Sequence, residues 1–170
     1  MGLNGLYNHY GLTESKNEIY APFAGIVGDS LLEGTAVCYN LSSQGRVAAP
    51  SSSNNRAFAG VMGTTATVGN TGEARAQVYG PGSICRVYVV EAVSAVGKIA
   101  TMIVGGSNAG KFTTAVKAVG GKGCVRLLET SSGAGLVKAE VLDGAESGGV
   151  EFITPPTAGG AFSCMEGGTT

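Results

Sequence analysis

The chain has 170 residues and a formal net charge of −1, with 11 Lys and Arg against 12 Asp and Glu. That length admits one ordinary domain or two small ones. The near-neutral balance supplies no electrostatic pull toward DNA, RNA or an anionic membrane. Charged residues make up 14 %, against a usual ~25 %, and the 29 glycines are more than twice the usual ~7 %. The hydrophobic fraction, 44 %, is that of a folded chain. A folded surface with so few charges is weakly solvated and suits coverage by partners.

Residues 1–22 read as an N-terminal arm whose apolar positions follow neither a helical nor a strand period. Leu3, Leu6, Tyr7 and Tyr10 are its candidate anchors, on a neighbour or on the chain's own domain. No basic and apolar leader pattern opens the chain. An even count of cysteines admits disulfides, but Cys38, Cys85, Cys124 and Cys164 are expected as thiols made in a reducing cytoplasm.

From Pro22 onward the signals are β. Short apolar runs at 23–27, 34–41, 46–49 and 58–62 alternate with Gly, Asn and Ser turns. Residues 73–79 predict an edge or half-exposed strand, and 84–90 the strongest strand of the chain. The rhythm continues with strands at 98–104, 111–116, 124–129 and 136–141. Residues 30–33 and 91–96 each have room for one helical turn. Turn signals every ~8–12 residues predict an all-β fold, a short-stranded antiparallel β-barrel or sandwich over 23–143.

Two stretches of this domain, 23–92 and 93–143, align as candidate repeats. Residues 34–41 match 97–104, 45–47 match 110–112, 59–62 match 123–126 and 74–79 match 136–141. Gly-rich β sequences also produce such matches by chance. Residues 144–170 form a Gly-, Ser- and Thr-rich C-terminal tail.

Motifs for chemistry are weak. Residues 105–111, GGSNAGK, match the outline of a phosphate-binding loop, but Phe112 stands where Ser or Thr would hold Mg²⁺. The residues that follow predict a strand rather than the helix a phosphate needs. His9 is the single histidine and has no nucleophile–acid setting around it. The cysteines have no metal-ligand spacing, so no metal or cofactor is expected. The acids Asp29, Glu33, Glu73, Glu91, Glu129, Glu140, Asp143, Glu146, Glu151 and Glu166 are scattered and read as solvated charge. Without Trp, and without basic residues interleaved with aromatics, no nucleic-acid stacking surface is expected.

The order of small and apolar residues carries a resemblance. Gly34-Thr-Ala-Val-Cys-Tyr, then Gly45-Arg-Val-Ala, then Phe58-Ala-Gly-Val-Met, then a strand running from Gly72 to Gly80, resemble the small capsid decoration (cement) proteins of tailed phages. Gly110-Lys-Phe-Thr-Thr-Ala and the stretches 123–129 and 135–141 resemble the C-terminal half of some of them. The likeness spans roughly 23–143, and the arm and tail depart from it. It implies a non-enzymatic homotrimer on the outer capsid surface of the virion, bound to the major capsid protein and bridging capsomers, with neither nucleic acid nor membrane as partner. Competing expectations are a tail-tube or fibre subunit, an enzyme with converging carboxylates, and a carbohydrate-binding module.

Overall fold

The computed structural model describes residues 17–42, 45–55, 57–115 and 124–142. Leu3, Leu6, Tyr7 and Tyr10 of the arm, Cys164 and the 144–170 tail lie outside the described residues. Among the described residues all regular structure is β. In chain order the strands are β1 (Glu18–Ala24), β2 (Ser30–Leu31), β3 (Ala36–Tyr39), β4 (Val47–Ala48), β5 (Phe58–Met62) and β6 (Ala66–Thr67). There follow β7 (Glu73–Tyr79), β8 (Ile84–Val89), β9 (Ile99–Met102), β10 (Phe112–Thr113), β11 (Cys124–Leu127) and β12 (Gly135–Val141).

Ten of these strands build two closed five-stranded barrels, in the orders β1-β4-β3-β5-β7 and β8-β10-β9-β11-β12, and β2 pairs with β6. The two orders are the same topology. Each barrel's first strand lies antiparallel to its last, β1 on β7 and β8 on β12. Each then closes on one parallel residue pair, Phe23 beside Val47 in the first barrel and Val89 beside Phe112 in the second. All four side chains are buried. The Phe and the Val have exchanged strands between the barrels, so each closure holds the same pair volume, the kind of swap a packed core tolerates best.

The aligned sequence blocks fall on topologically equivalent strands, with two of them one residue out of step. Pairing sets Val61 opposite Ala36 and Arg126 opposite Ile99, so β5 and β11 correspond at a spacing of 65 rather than 64. Pairing of Phe23 with Ala74 and of Val89 with Gly135 relates β7 to β12 at 61 rather than 62. An irregularity between Val37 and Cys38 shifts the β3–β5 register and has no sign in the residue types.

Burial explains which strands alternate. In β12 inward Val137, Ala139 and Val141 alternate with more exposed neighbours, as expected of a strand with one face to solvent. In β3 and β5 nearly every residue is buried. Val37, Ala59 and Met62 join the first barrel's core, while Ala36, Cys38 and Val61 join the cluster that fills the second. These strands therefore lie between two cores.

Several expectations change. Glu18 to Ala24 is a single strand, so residues 18–22 belong to the first barrel rather than to the arm. Pro22 is tolerated there because β1 meets β4 at Phe23 alone. The 73–79 strand is flanked on both sides, by β1 and β5, and is not an edge. Neither expected helical turn forms: Ser30 and Leu31 pair with β6, and Val93 bridges to Ser131. The chain passes from one barrel to the other through residues 80–83, so the division falls before β8 rather than at the expected 92/93 boundary.

The barrels are joined backbone to backbone. The Tyr88 N–H donates to the Gly34 carbonyl at 2.8 Å, and the Ala36 N–H donates to the Gly110 carbonyl at 2.6 Å. Gly34 has φ +74°, and a Cβ there would sit 2.5 Å from Leu136 Cδ2 and 2.9 Å from Tyr88 N. Its equivalent, Gly97, has φ +86° and open space around it. Both glycines donate to the matching strand end, Gly34 to Met62 O and Gly97 to Leu127 O. Gly97→Ala should therefore carry only the left-handed penalty of about 1–2 kcal/mol. Gly34→Ala should cost about 1–3 kcal/mol more, from overpacking the junction. Urea unfolding of the two variants side by side measures the difference.

Candidate interaction surface

The loop of residues 105–111 leads into β10, a strand, so no helix N-terminus follows Lys111. The Lys111 ammonium donates to Asn108 Oδ1 at 3.0 Å and lies 4.9 Å from the Tyr88 ring centroid. Its charge is engaged by its own loop and by the barrel junction.

The acids are likewise engaged locally. Arg46 donates to Glu73 at 2.5 Å and Arg126 to Glu140 at 2.7 Å, both near the surface. The Lys138 N–H donates to Glu129 Oε1 at 2.7 Å. Among the described residues no buried side-chain nitrogen or oxygen lacks a partner, and no three acids, cysteines or histidines gather as a metal site. Cys38, Cys85 and Cys124 are buried. Burial pushes the Cys38 thiol up to about 12, which keeps it protonated.

Glu91 is the most constrained carboxylate. It accepts from the Thr113 hydroxyl at 2.9 Å, from the Thr114 hydroxyl at 2.9 Å and from the Thr114 N–H. These contacts tie the chain beyond β8 to the end of β10, beside the Val89–Phe112 closure. Burial pushes the Glu91 pKa up, but the Thr114 and Thr113 hydrogen bonds and the Lys98 charge outweigh it and leave the net value lowered.

The feature that stands out of the fold is apolar. Beyond β1 the chain turns at residues 26–29, and Ile26 and Val27 are 78 % and 59 % exposed. The turn is held at four points. The Ile26 N–H donates to Asp29 Oδ2 at 2.8 Å and the Asp29 N–H to Ile26 O at 2.9 Å. The Gly28 N–H donates to Val68 O at 2.9 Å, and the Val68 N–H returns to Asp29 O at 2.8 Å. Gly28 takes φ +96°, a conformation β-branched residues avoid. The two aliphatic side chains are thus held in water by a preorganised turn, which lowers the ordering cost of docking them elsewhere. In the sequence they extend the 23–27 run and read as strand. The one signal of their exposure is the Gly-Asp pair that follows.

Leu41, 68 % exposed, lies in the β3–β4 turn, toward the opposite end of the first barrel from the tip. The arm residues Leu3, Leu6, Tyr7 and Tyr10 lie outside the described residues. No protein-family model matches the chain, and no curated protein matches its sequence.

The Glu91 contacts predict a pH dependence. Its folded pKa lies below the ordinary glutamate value. Its contribution to stability is therefore present above that value and lost as pH falls through the folded pKa. Thermal midpoints recorded from pH 7 to pH 3 should fall more steeply for the native chain than for Glu91→Gln, which starts lower and has no such proton to take up. Parallel curves would remove the carboxylate from this role.

Proposed function

We propose that the protein is a non-enzymatic structural component of a virion that binds the outside of a phage capsid as a homotrimer and stabilises the shell by bridging capsomers. Its partner in this reading is the major capsid protein. The observation that carries it is the rigid, solvent-facing Ile26 and Val27 tip on a molecule whose charged fraction is 14 %. An aliphatic tip fixed by backbone hydrogen bonds contributes contact area without a loop-ordering penalty. The resemblance adds support, since its four quoted stretches supply β3, β4, β5 and β7, consecutive members of one barrel sheet apart from the small β2–β6 pair.

Multivalency is the physical logic. Each protomer needs only modest contacts, and a trimer multiplies them into high avidity. A protein that binds only the expanded lattice stabilises that lattice by mass action. The arm anchors Leu3, Leu6, Tyr7 and Tyr10 give each protomer a second point of attachment, to a capsid subunit or to an adjacent trimer.

Light scattering of the purified protein, followed by co-sedimentation with expanded shells that lack it, tests the reading. A closed trimer that pellets with the shells is expected. Deleting residues 1–12, or making Ile26→Ser with Val27→Ser, should each lower shell affinity by about tenfold or more, since ~1.4 kcal/mol suffices for that. The thermal transition should stay near that of the native chain. A monomer that stays in the supernatant would sink the proposal.

A further inference from the structure

The contact between the two barrels is heterologous. The first barrel contributes a corner, Gly34 to Ala36, with Cys38 and Val61 packed beside it, and the second contributes a face around Tyr88, Leu136 and Gly110. Because both barrels share one topology, each also carries the half it does not use. The second barrel has its own corner at Gly97, and the first has its own face. A contact of this kind, repeated from one molecule to the next, produces open chains unless the rotation closes a ring.

The register identifies the unused halves residue by residue. Tyr88 and Leu136 are paired across β8 and β12, and the equivalent pair across β1 and β7 is Pro22 and Arg75. Gly110 approaches Ala36 O to 2.9 Å for an added Cβ, whereas its equivalent, Gly45, has nothing within 4 Å. At the corner, Ala36 corresponds to Ile99 and Thr35 to Lys98. The exposed Tyr20 lies on the unused face with Pro22 and Arg75, and Val96 and Ile99 lie at the unused corner.

Each substitution removes something the internal contact needs. Tyr88 offers the N–H that meets Gly34 O, and Pro22 has no N–H to offer. Leu136 packs on the Gly34 corner, while Arg75 presents a guanidinium instead, 5.4 Å from the Tyr20 ring. Ala36 buries a methyl group in the second core at this corner, where Ile99 is larger and 39 % exposed. Arg75 and Lys98 would bring like charges to one junction. Pro and inward-facing charge are the devices by which β proteins blunt surfaces that would otherwise propagate.

We propose that this chain carries both unused halves of its own barrel–barrel contact, and that Pro22, Arg75, Lys98 and Ile99 keep a second copy of the chain from stacking on them. This holds independently of the capsid reading. It concerns only which surface a second copy is denied, and leaves a closed oligomer to form elsewhere.

Two full-length variants test it. Pro22→Tyr with Arg75→Leu restores the face, and Lys98→Thr with Ile99→Ala restores the corner. Each alone should keep the native mass in light scattering. Mixed in equal amounts, they should form a complex with about twice that mass, and a chain carrying all four changes should lengthen with concentration. Thermal transitions recorded first establish that each variant folds. Should Pro22→Tyr fail that check, Arg75→Leu against Lys98→Thr, both at exposed positions, carries the same mixing test with a smaller mass increase. Folded variants that stay separate on mixing overturn the proposal, as does native protein that already stacks through Gly97 and Pro22.

Discussion

Each barrel closes on one parallel pair of residues, and everything else in the fold depends on that closure. Strands of two to seven residues cannot bury much core as an open sheet. Setting β4 beside β1 at Phe23, and β10 beside β8 at Val89, removes the open edge and turns the inward side chains of five short strands into one core. The closing pair is also the centre of that core, which explains why it holds a phenylalanine in both barrels although the strand supplying it differs. Chain following the closure then diverges. After β8 it delivers Glu91 to Thr113 of β10 and to Thr114 just beyond it, reinforcing the seam. At the equivalent place after β1 stands Gly25, and the chain turns outward into the Ile26 and Val27 tip. One barrel uses this position for stability, while the other uses it to present a surface.

The second dependence is between the barrels. Because β3 and β5 serve two cores, neither barrel buries its full apolar surface without the other. Gly34 and Gly110 are the points where backbones come together, and at both a side chain would meet a main-chain atom. The chain is thus two copies of one topology that are not interchangeable: the first supplies the small corner and the second the receiving face.

How much of this was legible in the sequence follows from the same physics. Strands with one face in solvent announce themselves by alternation, and 73–79 was found to the residue for that reason. The inner strands were legible as continuous apolar runs, though nothing in such a run says that a second barrel covers its far side. Strand β1 was missed from Glu18 to Pro22, five of its seven residues, because Glu18, Ile19 and Tyr20 mix polar and apolar side chains and Pro22 reads as a stop. Strands β2 and β6, two residues each, are too short for any period. The matching blocks were visible in the glycines, but the 92/93 division separated β8 from the barrel it belongs to, and the register shift between Val37 and Cys38 left no mark on residue type. The exposed tip was hidden because Ile26 and Val27 look like strand until the Asp29 hydrogen bonds are known. Leu3, Leu6, Tyr7 and Tyr10 were chosen for their aromatic and aliphatic character alone, and lie outside the described residues.

The low charge content acquires a more specific meaning in this light. A chain with 14 % charged residues needs its apolar side chains covered, and composition alone points to external partners. Much of the coverage is internal, because strands sandwiched between two cores consume apolar residues on both faces. Three of the ten exposed large hydrophobics among the described residues, Tyr20, Val96 and Ile99, lie on the two unused halves of the barrel contact, and Ile19 and Tyr39 stand opposite the core residues Val78 and Val47. Leu136 packs on Gly34. What neither the cores nor the repeated contact accounts for is Ile26 and Val27 at one end of the first barrel, Leu41 toward the other, and Leu32 just after β2. The tip is clamped in place by hydrogen bonds from both of its own ends and from a second loop. Holding two aliphatic side chains rigidly in water serves nothing in the isolated fold, and it is this cost, rather than composition, that argues for a partner.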